Sequence, residues 1–302
     1  MSAADQIVAK RWSVVVACIG LIASMCVRAA DPLISLIGPD EWNVPIVPSL
    51  NLFLQSGLAQ TSNIFYDSGA NSHAIPGGAH VYAGVTRFAH LFSFESLPKV
   101  GFAVEYLQPT LDEELPGQSI TGFGDPLFEI AAYFRPAPGL MVGYVNVPSI
   151  PVGSNELSSH FWSDTSLLVW NYHVGRLGFN GTFAAGVSST QHNAGRDTDI
   201  GNSYDAEVTG LYKVADWVAP FVAFTHHSTA SSHEIGTNAE APGQGPLYSC
   251  AGPGGCHENL VGGGLNLHFT RKHSLALWYY DGISGSNVVK TKAMYMLYTH
   301  PF

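Results

Sequence analysis

The sequence predicts an all-β fold, a transmembrane antiparallel up-and-down β-barrel of twelve strands. Three observations carry that prediction: polarity alternating with a period of two, connections alternating between short and long, and an export pattern at the N-terminus. A period of two sends successive side chains to opposite faces of a sheet.

Composition sets the bounds. The chain of 302 residues is 46% hydrophobic but only 12% charged, and its mean hydropathy is slightly positive at +0.13. Beyond the N-terminus no stretch holds the roughly 18 unbroken apolar residues of a membrane helix. A hydrophobic chain without spanning helices has the composition of a membrane barrel. A secreted β-sandwich is the competing all-β reading. The formal charge of −10 offers no basic footprint for nucleic acid.

At the N-terminus, Lys10 and Arg11 precede an apolar run from Trp12 to Val27. Val27-Arg28-Ala29, or the following Ala30, offers a cleavage point, so residues 1–29 read as a secretory signal peptide. That segment carries Asp5 against Lys10, Arg11 and Arg28, so its loss moves the formal charge from −10 to −12. Two cysteines remain, Cys250 and Cys256 in SCAGPGGC. Exported chains meet an oxidising compartment, and a short-loop disulfide is expected.

Residues 30–78 are rich in Pro, Asn and Ser and hold one candidate strand at 46–56. A short plug-like or periplasmic helix is the alternative there. Regular alternation runs over 79–302, with strands expected near 80–91, 99–108, 121–135, 139–149, 163–174, 177–190, 203–214, 217–228, 259–270, 273–282 and 289–302. These are eleven. Single-chain bacterial barrels have even strand numbers with both ends periplasmic, so 46–56 is counted as the first strand by parity.

The connections decide between barrel and sandwich. SFESLPK, PAPG, VGR, VAD and TRKH alternate with PTLDEELPGQSI, IPVGSNELSSHFW, QHNAGRDTDIGN, a stretch of about thirty residues around the cysteines, and GISGSNV. Outer-membrane barrels pair short periplasmic turns with longer external loops, and a sandwich has no reason for that rhythm.

Parity then assigns faces. Phe128, Ile130 and Phe134 share one face of the 121–135 strand. Phe102, Val104, Tyr106, Phe179, Phe183, Tyr204, Val208, Val261, Leu265 and Phe269 take the matching face of their own strands. These should meet lipid. The opposite face holds Glu105, Asp125, Glu129, Arg135, Asp205, Glu207, Asn266 and His268. A charge at mid-bilayer on the lipid face costs about 2–4 kcal/mol for Lys or Arg, so charged groups sort into the lumen. There they either touch solute or brace the barrel by pairing across it. In the last strand, Phe302 shares parity with Lys290 and Lys292. Either the lysines sit at the external rim or the terminal residues leave the ladder.

Several of these stretches resemble an outer-membrane transporter family known as the MetA pathway of phenol degradation. The likeness runs from about residue 79 to the end. It rests on Thr121-Gly122-Phe123-Gly124-Asp125, on Pro148 with Pro151-Val152-Gly153, on Tyr204-Asp205 with Leu211-Tyr212, and on Asp281-Gly282-Ile283-Ser284-Gly285-Ser286-Asn287. It implies a barrel concerned with passage of hydrophobic or aromatic compounds. One departure stands at the end of the ninth strand, where Thr225-His226-His227-Ser228 replaces an expected Gln/Asp-rich segment.

Two constellations invite chemistry. His226 and Ser228 lie two apart on a strand and so share a face, where an imidazole could activate a hydroxyl. His226, His227, His233, Glu234 and His257 gather near Cys250 and Cys256, but their spacing matches no compact metal motif, and a disulfide would remove both thiolates. Gly262-Gly263-Gly264 sits inside an alternating strand with no helix after it, which indicates close packing or a bend rather than a phosphate loop. The reading that gathers most of this is a passive outer-membrane channel with no cofactor and no metal. Its expected partners are outer-membrane lipid, a small hydrophobic or aromatic solute and the barrel-assembly machinery. A lipid hydrolase using His226 and Ser228, and a closed structural barrel acting through its external loops, are the competing classes.

Overall fold

A computed structural model describes residues 38, 41, 43–115, 118–154, 157–193, 196–235, 240–241, 254–270 and 272–302. The expected signal peptide and Cys250 lie outside the described residues.

Twelve strands build the wall. They are β1 Ser49–Tyr66, β2 Ser72–Ser93, β3 Val100–Leu115, β4 in two segments (Gln118–Phe123 and Leu127–Ala137), β5 Leu140–Ser149 and β6 Ser163–Val174. The second half is β7 Leu177–Ser188, β8 Ser203–Tyr212, β9 Val218–Thr229, β10 Cys256–Thr270, β11 His273–Ser286 and β12 Lys292–Pro301. Each pairs antiparallel with its chain neighbours, and β1 also pairs with β12 from Leu52↔Pro301 to Gln60↔Ala293, which closes the sheet. Full closure leaves no sheet edge exposed to lipid. The strand count inferred from parity is therefore right, although the first strand covers Ser49–Tyr66 rather than 46–56.

Short turns gather at one end, where Ala137 meets Leu140 and Val174 meets Leu177 across tight reversals. By the loop rule this end is periplasmic. At the other end the loops before β8 and before β10 pair with each other. Residues 191–193, 196–199, 232–234 and 240–241 form a separate four-stranded sheet there.

Three expectations change. PTLDEELPGQSI is mostly strand, because β3 runs on to Leu115 and β4 starts at Gln118, a tall hairpin above the membrane-crossing part. GISGSNV likewise extends β11 to Ser286, followed by a short pairing of Val288 and Val289 with β1. Third, the strand expected at 121–135 breaks at residues 124–126. Pro126 has no N–H for a ladder, and Pro109 of β3 lies beside the break, its carbonyl accepting from Gly124 N at 3.1 Å.

The outer face is apolar as predicted: Val104, Phe128, Ile130, Phe183, Val208, Val261, Leu265 and Phe269 are all exposed. Near the periplasmic end the aromatic side chains crowd into a belt. Phe92 stacks on Phe102 at 5.5 Å between ring centres, and His300 stacks on His273 at 4.6 Å. Such girdles mark the bilayer interface of outer-membrane barrels. In β12 the ladder holds as far as Pro301, and Phe302 N donates to Asn51 O at 3.0 Å. The lysines take the external rim, where Lys290 pairs with Asp281 at 2.9 Å.

The interior is packed. Trp278 stacks on Tyr295 at 5.3 Å, Tyr280 meets Tyr295 edge-on at 5.6 Å, and Phe221 meets Trp278 at 6.4 Å. Gly262 and Gly264 are the register partners of Tyr280 and Trp278. A Cβ at Gly262 would run into the Tyr280 ring, and one at Gly264 would stand 2.6 Å from Trp278 Cβ. The glycine run is thus a seat for two aromatic side chains leaning across β10, which is the close-packing reading made from sequence.

Candidate solute pathway through the barrel

A cavity of about 350 Å³ opens in the periplasmic half of the lumen. Its walls are largely apolar, with Leu50, Leu52 and Leu54 from β1, Ala89 and Leu91 from β2, and Leu297 from β12. Glu105, Glu129, Asn266 and His268 line the same cavity. Four inward residues named from sequence parity, on three strands, therefore converge on one space.

Chain preceding β1 forms one side of that space. Glu41, Asn43, Val44 and Pro45 line it, and the wall holds the segment by specific bonds. Tyr133 OH donates to Pro45 O at 2.9 Å, Arg135 Nη2 to Val44 O at 2.6 Å, and Ser93 Oγ to Val47 O at 2.8 Å. Arg135 is accordingly a clamp on this segment at the mouth.

Arg87 of β2 organises the charges. Its Nε donates to Glu105 Oε1 at 2.5 Å, and its Nη2 reaches Glu105 Oε2 at 3.2 Å and Glu41 Oε1 at 2.5 Å. A guanidinium presents several donors in a fixed fork, which lets one side chain serve two carboxylates. Glu129 is the cross-strand neighbour of Glu105 and only 7% exposed. No described group donates a hydrogen bond to it. Arg87 was missed from sequence, yet its signal was there: it shares inward parity with Val85, Ala89 and Leu91, a charge in an otherwise apolar series.

A second acidic group lies on β8 to β11 and is sealed. His227, fully buried, meets Asp205 through Nδ1 at 2.8 Å and Thr229 Oγ1 through Nε2 at 3.4 Å. Glu207 accepts from Thr225 Oγ1 at 2.9 Å and from Tyr280 OH at 2.8 Å. Glu258 accepts from Thr291 N at 2.8 Å and from its hydroxyl at 2.7 Å. Asp205 and Glu207 thus face inward as parity demands but brace the wall, away from the cavity.

Asp125 differs again. It sits in the break of β4, where Oδ1 accepts from Gly153 N at 2.8 Å and Oδ2 from Ser159 N and Oγ at 2.7 and 2.6 Å. It fixes the loop after β5. His226 and Ser228 share the outward parity of β9 with Phe224, and His226 Nδ1 is bonded to Asn259 Oδ1 at 2.8 Å. Cys256 is disulfide-bonded. Among the described residues no group of three or more His, Cys, Asp or Glu could hold a metal ion.

A closed twelve-stranded wall, apolar outside and carrying buried charges inside, defines the class: a bacterial outer-membrane β-barrel. Within it the chain belongs to the family described as "Putative MetA-pathway of phenol degradation", whose model matches residues 62–297. The crystal structure of an outer membrane channel from Pseudomonas putida F1 has the same fold. Its TM-score is 0.73 at 14% identity, covering 90% of this chain and 100% of that one. A TodX deletion mutant described as a monoaromatic hydrocarbon channel aligns with TM-score 0.47 at 8% identity, over 92% and 96% of the two chains. A FadL homologue from Pseudomonas aeruginosa gives 0.43 at 8%, over 84% and 89%. No curated protein matches the chain.

Proposed function

We propose that the barrel is an outer-membrane channel for passive uptake of small hydrophobic or aromatic compounds. The observation that carries the reading is the cavity inside the wall, about 350 Å³, whose exposed lining is mostly apolar with Leu and Ala side chains at its centre. Small-molecule sites are concave and mostly apolar, with a few placed polar groups, and this space has that character. A pore for sugars or ions would present a polar, water-filled interior instead. Membership of a family described by phenol degradation supports an aromatic solute. Passive transport needs no cofactor. The same reading takes lipid as the partner of the outer face and the barrel-assembly machinery as the partner for insertion.

The test is solute entry into proteoliposomes carrying the folded barrel, comparing phenol and toluene with sugars of similar mass. Faster entry of the aromatic compounds than through protein-free vesicles, with sugars excluded, is the expected result. No protein-dependent entry of either class would defeat the proposal.

A further inference from the structure

We propose that the periplasmic-half cavity is a binding subsite for small hydrophobic amines, with the ammonium held on Glu129 and the apolar body against Leu52, Leu54, Leu91 and Leu297. The inference deepens the channel reading and rests on it, naming the class of solute that this space selects.

Charge count and geometry point the same way. Among the described residues, Glu41, Glu105 and Glu129 surround a single guanidinium, that of Arg87. Arg87 already gives its donors to Glu105 and Glu41. Glu129 is left 7% exposed, lining the cavity, with no hydrogen bond from any described residue. A buried carboxylate without a partner is costly, whereas one that receives a charge-assisted hydrogen bond is well accommodated. An incoming ammonium supplies that bond and part of the missing positive charge. Leucines on the facing wall take up a ring or short chain at the same time. An anionic solute of the same shape brings no donor to Glu129 and meets a cluster in which carboxyl groups outnumber the guanidinium. A neutral one gains only the apolar contact. Asn266 and His268 complete the polar side of the wall, and Lys272 at the mouth is exposed, where solvent and salt screen it.

The experiment is calorimetric titration of the folded, detergent-solubilised barrel with 2-phenylethylamine, 2-phenylethanol and phenylacetate, matched in size and differing in charge. The amine should bind on the order of tenfold tighter than the alcohol, and the acid weakest. Glu129→Gln should erase the amine's advantage while changing alcohol affinity less than about twofold. Equal affinity for amine and alcohol in the unmodified protein, or no binding of the amine, overturns the proposal without recourse to any variant. An amine preference that survives in a folded Glu129→Gln protein overturns it as well. Toluene entry into liposomes is scored separately. If it persists while the amine preference is absent, only the subsite falls. If it is absent while the amine preference holds, the subsite stands and passage is what fails.

Discussion

Two acidic groups face into this barrel, and they differ in what surrounds them. On β8 to β11, Glu207 and Glu258 each accept two hydrogen bonds at 2.7–2.9 Å, and Asp205 is bonded to a fully buried His227. On β2 to β4, Glu105 shares Arg87 with the segment before β1, while Glu129 opens onto a cavity with no donor among the described residues. All of these carboxylates satisfy the same parity rule. Facing inward follows from the cost of a charge in lipid, and it says nothing about whether a residue braces the wall or meets a solute. Partner supply separates the two roles.

That contrast can be broken at its strongest point first. Arg87→Ala removes the guanidinium that, among the described residues, pairs with Glu41 and Glu105, and leaves both carboxylates buried without an ion-pair partner. Loss of one partner of a buried ion pair costs about 3–5 kcal/mol. The variant should show a strongly lowered urea midpoint for the barrel folded in lipid vesicles, partly recovered when Glu41→Gln and Glu105→Gln are added. In the sealed cluster, Tyr280→Phe takes away the shortest of three donors to Glu207. A loss of about 1–3 kcal/mol is expected, with toluene entry into liposomes unchanged because Glu207 is outside the cavity. Glu129→Gln should behave oppositely. No donor is lost and a buried ionisable group is removed, so the midpoint stays or rises. A fall as large as that of Tyr280→Phe would place Glu129 with the bracing residues and dissolve the distinction.

The smallest effect is expected at the external β1–β2 turn. There the bond from His73 to the Asp67 carboxyl, helped by those from Gly69 and Asn71, lowers the Asp67 pKa to about 2. A folded-state pKa below the unfolded one means the turn gains stability above the ordinary carboxylate range and loses it as pH falls through about 2. Asp67 lies in a surface turn, so Asp67→Ala should speed local hydrogen exchange in residues 67–73 at neutral pH without moving the global midpoint.

Much of this was legible in the sequence, for reasons that also explain the rest. Alternation fixes which face a side chain takes, so Phe128 and Ile130 read as lipid-facing and Glu105 and Glu129 as inward. Parity fails where a strand is interrupted. Asp125 and Glu129 are four apart and appear equivalent, but the break at Pro126 separates them, and Asp125 holds a loop instead. Length fails where loops continue as strand: nothing local distinguishes TLDEEL as ladder from TLDEEL as loop until β2 supplies His80 to Ala83 as partners. Arg87 and Glu41 escaped because their meaning lies in a contact 46 residues apart in sequence. The first strand was found by arithmetic on the others, since its own alternation is weak.

The closure between β1 and β12 carries a consequence for how the molecule comes into being. Leu52 and Pro301 are partners, so the last seam to form joins residues nearly 250 positions apart. Apart from the short pairing of Val288 and Val289 with β1 at the same seam, every other barrel pairing joins neighbours in the chain and can form as the hairpins appear, but this one waits for residues 292–301. Until then the nascent sheet has two open edges, each a template for a wrong partner. Assembly is therefore exposed for longest at the first and last strands, and truncation within 292–301 should leave a curled sheet rather than a smaller barrel.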